Sequence, residues 1–413
     1  MAETSSAKYK RTTYACFLTC ASTAVTANLS PLLFVPFKEL YGISYTLLGF
    51  LVVVNFGTQI IFDLLFSFFS HKFNLAKCVR ITPVVMGVGL AVFAILPSLM
   101  PSAVYAGLAI GTVIFSAGSG LAEVLISPTV AAIPSPDSGK MMSMLHSCYA
   151  WAVPVVVAVS TAFLRVFGIE RWQILAVILA FAPLSAAVLL NLSPIPPLST
   201  PERASDAAGL FRNKTVIFYV VGIFLGGATE CGMAQWCSSY LETAFGIDKT
   251  AGDLLGVALF GVLLGTGRTL YAKRGKNVRR TLFMCAAGAC VCYVVTVIFN
   301  NAVVGLAACA LTGLFASMLW PGTLIAMEEE IPDAGVALYA LMASGGDIGA
   351  SLCPQMIGVI ADGVIASKGG VSLAAKIGLT AERFGLKAGV AVAALFPLAA
   401  AIMYFKKMKK KEQ

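Results

Sequence analysis

The chain has 413 residues, of which 58% are hydrophobic and only 12% are charged. A soluble domain carries about 25% charged residues, so this composition excludes an ordinary soluble protein. The formal net charge of +9 comes from basic clusters beside apolar runs. Such clusters anchor a membrane protein near anionic lipid, so the charge predicts the lipid bilayer as a partner and no nucleic acid.

Apolar runs of roughly 20 residues recur along the chain, and each can cross about 30 Å of hydrocarbon as a helix. The runs lack the alternation of polar and apolar residues that membrane β-strands show, so we predict an all-α membrane protein. The first run is too long for a signal peptide, and we expect it to remain as span 1. Twelve spans are predicted, at 13–37, 45–70, 76–97, 103–133, 140–167, 172–193, 214–241, 250–272, 280–299, 302–327, 335–362 and 384–405.

The polar segments between the spans predict orientation and domains. Most of the 29 Lys and Arg residues fall on the side that holds both termini, so we expect cytoplasmic termini in the plasma membrane. One segment rich in Pro, Ser and charge divides the chain in two. We therefore expect an N-terminal six-helix bundle at 1–193, a cytoplasmic linker at 194–213 and a C-terminal six-helix bundle at 214–413.

The two halves contain an internal repeat. YGISYTLLGFLVVVNFG at 41–57 aligns without gaps to FGIDKTAGDLLGVALFG at 245–261. Ser44 and Asp248 hold equivalent positions, where each is expected to cap the N-terminus of an even-numbered span. Two six-helix halves in the same orientation form the parallel-repeat architecture of secondary transporters.

Three carboxylates lie deep in predicted spans: Glu123 in span 4, Glu230 in span 7 and Asp347 in span 11. An ionised carboxylate at a helix centre costs about 2.5–3.5 kcal/mol on insertion scales, so it usually faces a cavity or a partner. A carboxyl whose hydration alternates can bind and release a proton, so we predict these three as proton-coupling residues. Apart from Arg268 near one end of span 8, no Lys or Arg lies in a span core. We therefore expect the acids to lack a salt-bridge partner.

Polar and aromatic side chains in the spans are candidates for solute binding. Amides, hydroxyls and aromatic planes suit a polyhydroxylated ligand, which requires many neutral donors and acceptors. Ser116, Ser119, Glu123 and Ser127 recur at helical spacing and form one stripe of span 4. For each residue the alternative is a hydrogen bond or packing contact between helices. The substrate-binding candidates are Asn28, Asn55, Gln59, His146, Tyr149, Gln235, Trp236 and Trp320.

The sequence offers no pattern typical of a metal site or an enzyme. Its 11 cysteines are scattered through apolar runs without zinc-type spacing, and only two histidines accompany them, so reduced packing thiols are expected. No GxxxxGK[ST] motif occurs, and no nucleophile–base pair emerges. We therefore predict no metal, no cofactor and no enzymatic activity.

Short motifs add to the span pattern. They are the GxG before Glu123 in span 4, the GGATECGMAQW of span 7, the GTGR of span 8, the WP of span 10 and the SGGDIGASLCP of span 11. With twelve spans and a central linker, the chain resembles the major facilitator superfamily and, within it, the fucose:proton symporter branch. The resemblance implies a cavity lined by spans 1, 4, 7 and 10. It also implies gating roles for Asp63 and Arg268 near cytoplasmic helix ends.

Two departures from the family pattern affect the function. TANLSPLL in span 1 has Asn28 and Ser30 where the branch often has an acid, and LHSCYAWAVPVVV in span 5 lacks the antiporter signature. We predict a monomeric transporter that imports a small polar solute, such as a sugar, by alternating access. Lone carboxylates favour protons over sodium as the coupling ion. The alternatives are efflux of amphipathic compounds or drugs by proton antiport, and a non-transporting membrane sensor on the same fold.

Overall fold

The computed structural model describes residues 2–43, 45–199, 209–210, 212–247, 252–332 and 335–412. Within these ranges the chain forms helices joined by turns, and no strand occurs. Twelve of the described helices are long and apolar enough to cross a membrane. The predicted all-α fold with twelve spans is therefore confirmed.

The helices of the first half follow the predicted spans closely, except at span 1. That helix starts earlier than predicted and breaks at Leu33. Pro36 has no N–H for the carbonyl of Leu32, four residues before it, which accounts for the break. The helices are span 1 (Ala2–Leu32, continued by Phe34–Tyr41), span 2 (Tyr45–Phe69), span 3 (Leu75–Leu99), span 4 (Val104–Ala131), span 5 (Ser138–Phe167) and span 6 (Trp172–Asn191).

Three spans of the second half depart from a regular α-helix. Span 8 opens with a π-helical segment, span 10 is interrupted at 317–320, and span 12 is interrupted at Ala394. The helices are span 7 (Lys214–Phe245), span 8 (Gly252–Ala258, then Leu259–Arg274), span 9 (Val278–Ile298), span 10 (Ala302–Ala316, then Pro321–Glu330), span 11 (Gly335–Ala366) and span 12 (Ala381–Ala393, then Leu395–Glu412). A short helix, Lys368–Lys376, lies between spans 11 and 12.

The internal repeat has a counterpart in the backbone. Gly42 has a φ of 65° and Gly246 has a φ of 68°, and these glycines occupy equivalent positions of the two aligned segments. Left-handed backbone is easily adopted only by glycine, so both halves use a glycine in this conformation at the equivalent position, a few residues before an even-numbered span. The proposed caps Ser44 and Asp248 lie outside the described residues.

The chain forms two compact units. The first comprises Met1–Val216 with Ile331–Ser344, and the second comprises Ile217–Glu330 with Gly345–Gln413. Span 11 therefore begins in the first unit and ends in the second. Its first turn bonds to the segment after span 6, because the Val336 N–H donates to the Ser199 carbonyl at 3.1 Å.

Close helix approach and buried aromatics hold the first unit together. A Cβ on Gly89 would lie 2.2 Å from the backbone N of Phe115, and one on Gly111 would lie 2.3 Å from the Cα of Phe93. Small residues let membrane helices approach until their backbones are in van der Waals contact. Phe93 and Trp172 are fully buried beside these contacts, with ring centroids 5.8 Å apart.

Candidate functional site

A hydrogen-bonded cluster joins spans 2 and 4 in the first unit. The Ser116 hydroxyl donates to Asn55 Oδ1 at 2.6 Å, and Gln59 Nε2 donates to the same oxygen at 3.2 Å. Asn55 is 7% exposed and Ser116 is fully buried. Burying polar groups is tolerated because they satisfy one another. Two of the predicted substrate-binding residues, Asn55 and Gln59, thus lie in one cluster.

The serine stripe of span 4 contacts three neighbouring helices. Ser116 bonds to Asn55 of span 2, as described above. Ser119 shares a 2.6 Å hydrogen bond with Thr26 of span 1. Ser127 lies 3.4 Å from His146 Nε2 of span 5. The serines therefore make contacts between helices, which was the alternative interpretation of the stripe. Glu123 is half-buried and stands one helical turn from both Ser119 and Ser127.

The other predicted residues of the first unit lie apart from this cluster or have local partners. Asn28 Nδ2 donates to the Ala24 carbonyl of its own helix at 2.8 Å, and Tyr149 is half-buried in span 5. Asp63 is fully buried. One turn further on, Ser67 donates to the Ala337 carbonyl at 3.2 Å. Asp63 therefore lies beside the contact that ties span 2 to the start of span 11.

In the second unit, Glu230 of span 7 forms an ion pair with Arg268 of span 8. Arg268 Nη2 lies 2.9 Å from Oε2 and 3.2 Å from Oε1 of Glu230. The side chains are 3% and 12% exposed, for Arg268 and Glu230 respectively. The expectation that Glu230 lacks a salt-bridge partner was wrong. Arg268 lies far enough inside span 8 for its long side chain to reach the middle of span 7.

Arg268 also contacts span 10 at its interruption. Pro321 has no N–H, so the carbonyl of Ser317, four residues earlier, loses its helical donor. Arg268 Nε supplies that donor at 2.9 Å. The guanidinium thus joins spans 7, 8 and 10 through one side chain. The WP motif was noted in the sequence only as part of the family resemblance; its proline is the signal that could have indicated an orphaned carbonyl, but nothing in the sequence identifies Arg268 as the donor.

The aromatic candidates of the second unit have packing partners. Trp236 Nε1 donates to the Pro354 carbonyl of span 11 at 2.9 Å. The ring of Trp320 packs on span 11, where a Cβ on Gly346 would lie 2.2 Å from it. Trp320 and Trp236 are half-buried, whereas Gln235 is exposed. Trp236 and Trp320 therefore fasten span 11 to spans 7 and 10.

Asp347 lies in the part of span 11 that belongs to the second unit. It is 4% exposed, and its Oδ2 atom is buried with no hydrogen-bond partner among the described residues. The Ser351 hydroxyl, one turn on, bonds the backbone carbonyl of Asp347 rather than its carboxyl, at 2.7 Å. An ionised carboxylate is costly to bury without hydrogen-bond partners, so the surroundings of Oδ2 favour the neutral carboxyl.

The acidic end of span 10 forms a network with two basic segments. Arg279, at the start of span 9, lies 3.1 Å from Glu330 and 3.5 Å from Glu329. Lys407 of span 12 pairs with Glu330 at 2.7 Å. The end of span 10 is thus tied to the start of span 9 and to span 12 by ion pairs.

The described cysteines are free thiols, from Cys16 to Cys353. Within the described part of the chain, no group of three or more His, Cys, Asp or Glu side chains could hold a metal ion.

The sequence matches the Major Facilitator Superfamily profile over residues 15–354. This chain belongs to the Major Facilitator Superfamily. The family consists of transporters rather than enzymes, so the chain is a multi-pass membrane transporter. No curated protein matches it by sequence.

Solved structures of other transporters share the fold across nearly the whole chain. The E. coli fucose:proton symporter FucP has a TM-score of 0.72 at 15% identity, covering 95% of this chain and 99% of its own. The proton:xylose symporter XylE has a TM-score of 0.76 at 16% identity, covering 97% and 96%. A bacterial homologue of the iron transporter ferroportin has a TM-score of 0.70 at 12% identity, covering 96% and 98%. At these identities the similarity establishes the fold.

Proposed function

We propose that this chain moves a small polar solute, such as a sugar, across the plasma membrane by proton-coupled symport. The observation that carries the proposal is the position of Glu123. It is a half-buried carboxyl in span 4, between a serine bonded to span 1 and a serine bonded to span 5. Cytoplasmic termini and a monomeric state are part of the proposal.

Glu123 suits the role of a proton carrier because its surroundings can change with the positions of three helices. Thr26, Ser119 and His146 supply polar groups around this part of span 4. A carboxyl in such a setting binds a proton when water withdraws and releases it when water returns. Helix movement around span 4 therefore couples directly to the charge on Glu123.

The other two acids have different roles in the proposal. Arg268 competes with a proton for Glu230, so proton loading at Glu230 would free Arg268 and disturb the interruption of span 10. Asp347, with its buried Oδ2, would carry a proton in this conformation. Arg268 then acts as a positioning residue for span 10, and Asp63 keeps the proposed gating role.

Two comparisons support a sugar-like solute. FucP and XylE are named as proton symporters of fucose and xylose, and this chain shares their fold. Gln59, His146 and Tyr149 are half-buried in the first unit, and their amide, imidazole and phenol groups can bond hydroxyls. We propose that these side chains contact the solute. In the second unit, considered by itself, the half-buried Trp236 and Trp320 and the exposed Gln235 are further candidates for solute contacts.

The test is uptake by purified protein in proteoliposomes with an imposed pH gradient, using a panel of radiolabelled sugars, sugar acids and nucleosides. We expect the wild type to accumulate at least one solute against its gradient. Glu123→Gln should abolish proton-driven accumulation, because a neutral amide cannot bind the coupling proton. It should retain solute counterflow, which needs no net proton movement.

Glu382→Gln is the matched control, since Glu382 is exposed at the start of span 12. It should accumulate solute like the wild type. Full proton-driven accumulation by Glu123→Gln would reject the coupling role. If accumulation followed a sodium gradient instead, sodium rather than the proton would be the coupling ion. Proton-driven export of amphipathic compounds would favour antiport. A lack of binding and movement for every compound would favour a sensor.

A further inference from the structure

A basic groove opens where span 1 meets the end of span 6. Its volume is about 590 Å³, within the 300–1,000 Å³ range of small-molecule sites. Three cations line it, Lys8, Lys10 and Arg11, and all three are exposed. We propose that this groove binds the headgroup of an anionic phospholipid, a role independent of the transport proposed above.

The groove lies at the boundary of the apolar layer. The membrane-crossing segment of span 1 begins at Lys8, and that of span 6 ends at Asn191. A lipid phosphate occupies this depth, because the headgroups border the hydrocarbon core. A headgroup bound here would therefore leave its acyl chains in the bilayer.

The apolar wall of the groove continues along the membrane-facing surface. Tyr14 is 59% exposed and Leu192 is 64% exposed, and Leu189 lies beside them. Exposed apolar side chains on spanning helices contact lipid tails, and tyrosine favours the interfacial level. The wall therefore suits the upper part of an acyl chain, which a free phosphate ion would not use.

The groove is built on a fixed backbone. Arg11 Nη1 donates to the Leu192 carbonyl at 3.1 Å, and Thr12 donates to the Pro194 carbonyl at 2.7 Å. From span 3, Arg80 donates to the Ser193 carbonyl at 3.2 Å. These bonds satisfy the carbonyls of the three residues that follow span 6, where no helix continues to supply donors. Spans 1 and 3 thus hold the far wall in place.

The cations of the groove keep capacity for a ligand. Among the described side chains, no carboxylate lies within 4.0 Å of Lys8, Lys10 or Arg11. A guanidinium has five N–H donors, and Arg11 uses one of them on Leu192. A net negative headgroup would therefore meet three positive charges, and none of the described carboxylates competes with it for them.

The test is native mass spectrometry of the full-length protein released from nanodiscs of equal phosphatidylglycerol and phosphatidylcholine. We expect the wild type to retain phosphatidylglycerol preferentially. The double variant Lys8→Gln/Lys10→Gln should weaken retention by about 30-fold, since each basic residue near an anionic lipid contributes about 1 kcal/mol. Lys273→Gln/Lys276→Gln is the matched control. These two lysines are exposed outside the groove, and replacing them removes the same amount of positive charge.

A second variant separates a lipid from a free anion. Leu192→Gln should weaken phosphatidylglycerol retention, because it removes part of the apolar wall. Added inorganic phosphate should not displace the lipid from the wild type or from this variant. The proposal would be overturned if the two double variants lost phosphatidylglycerol retention equally, or if the wild type showed no preference for phosphatidylglycerol. Displacement of the lipid by millimolar inorganic phosphate would also overturn it, because the groove would then hold a free anion. Thermal unfolding of each variant checks that it is folded.

Discussion

At the scale of single residues, Arg268 connects three spans of the second unit. It neutralises Glu230 and donates to the carbonyl that Pro321 leaves without a helical donor. Both groups would otherwise be buried without compensation, and either would destabilise the fold. The pair therefore explains how a glutamate can occupy the middle of span 7.

The Glu230–Arg268 pair gives a prediction for stability. Glu230→Gln leaves the 3% exposed Arg268 charge without its counter-ion, which costs about 3–5 kcal/mol for a buried pair. The measurement is thermal or denaturant unfolding in a fixed lipid or detergent. Arg268→Lys should also lower the stability, although it keeps the positive charge, because a lysine cannot donate to Glu230 and Ser317 in the same fork geometry.

A double-mutant cycle tests the same pair. Glu230→Gln/Arg268→Gln should be more stable than the sum of the single changes predicts, because no unpaired charge remains. Additive losses would show that the two side chains do not interact energetically. A Glu230→Gln protein as stable as the wild type would contradict the structural role.

At the scale of elements, close contact between spans 3 and 4 organises the first unit. Gly89 and Gly111 face each other's helix so closely that any Cβ would overlap Phe115 or Phe93. Because lipid tails are as apolar as the side chains, membrane helices associate through such packing rather than by escaping water. Span 4, which carries Glu123 and the serine stripe, is therefore positioned by its glycine contacts with span 3.

Gly111→Ala tests this helix contact. Its Cβ would meet the Cα of Phe93 at 2.3 Å, and backbone cannot rotate away as a side chain can. Overpacking of this kind costs about 1–3 kcal/mol. We expect a lower melting temperature and, through displacement of span 4, weaker transport.

Gly57→Ala in span 2 is the control for that variant. A Cβ built on Gly57 would meet no described atom within 4 Å apart from the neighbouring residues and backbone of its own helix. Alanine favours helix over glycine by about 1 kcal/mol, so this variant should be as stable as the wild type or more stable. Equal losses for Gly111→Ala and Gly57→Ala would show that close packing of spans 3 and 4 is not the cause.

At the scale of the whole molecule, twelve spans place both termini on the same side, and the basic clusters predict that this side is the cytoplasm. Cysteine labelling with a membrane-impermeant maleimide tests the orientation. Ser102→Cys, between spans 3 and 4, should react in intact cells. Lys276→Cys, between spans 8 and 9, should react only after permeabilisation.

Both introduced sites are exposed in the structure, and the wild type reports any labelling of native cysteines. The opposite pattern would place the termini outside. Reaction of both sites in intact cells would contradict the twelve-span topology.

The spans, the repeat and the three intramembrane acids could be predicted from the sequence because each depends on neighbouring residues. Hydropathy over about 20 residues determines whether a segment crosses a membrane. The similar φ angles of Gly42 and Gly246, 65° and 68°, follow from the glycine that the repeat places at each position. The position of Glu123 on a serine stripe follows from helical spacing alone.

The tertiary structure decided the partners of those residues. Whether Glu230 meets Arg268, and whether Ser116 bonds Asn55 or lines a cavity, depends on how each helix is rotated against its neighbours. That rotation is set by many small packing contacts between distant segments, which hydropathy does not encode. The sequence by itself therefore determined a twelve-span membrane protein with acids inside its spans. Three-dimensional packing alone decided that Glu230 is paired with Arg268 and that Asp347 Oδ2 is buried without a hydrogen-bond partner in the described structure.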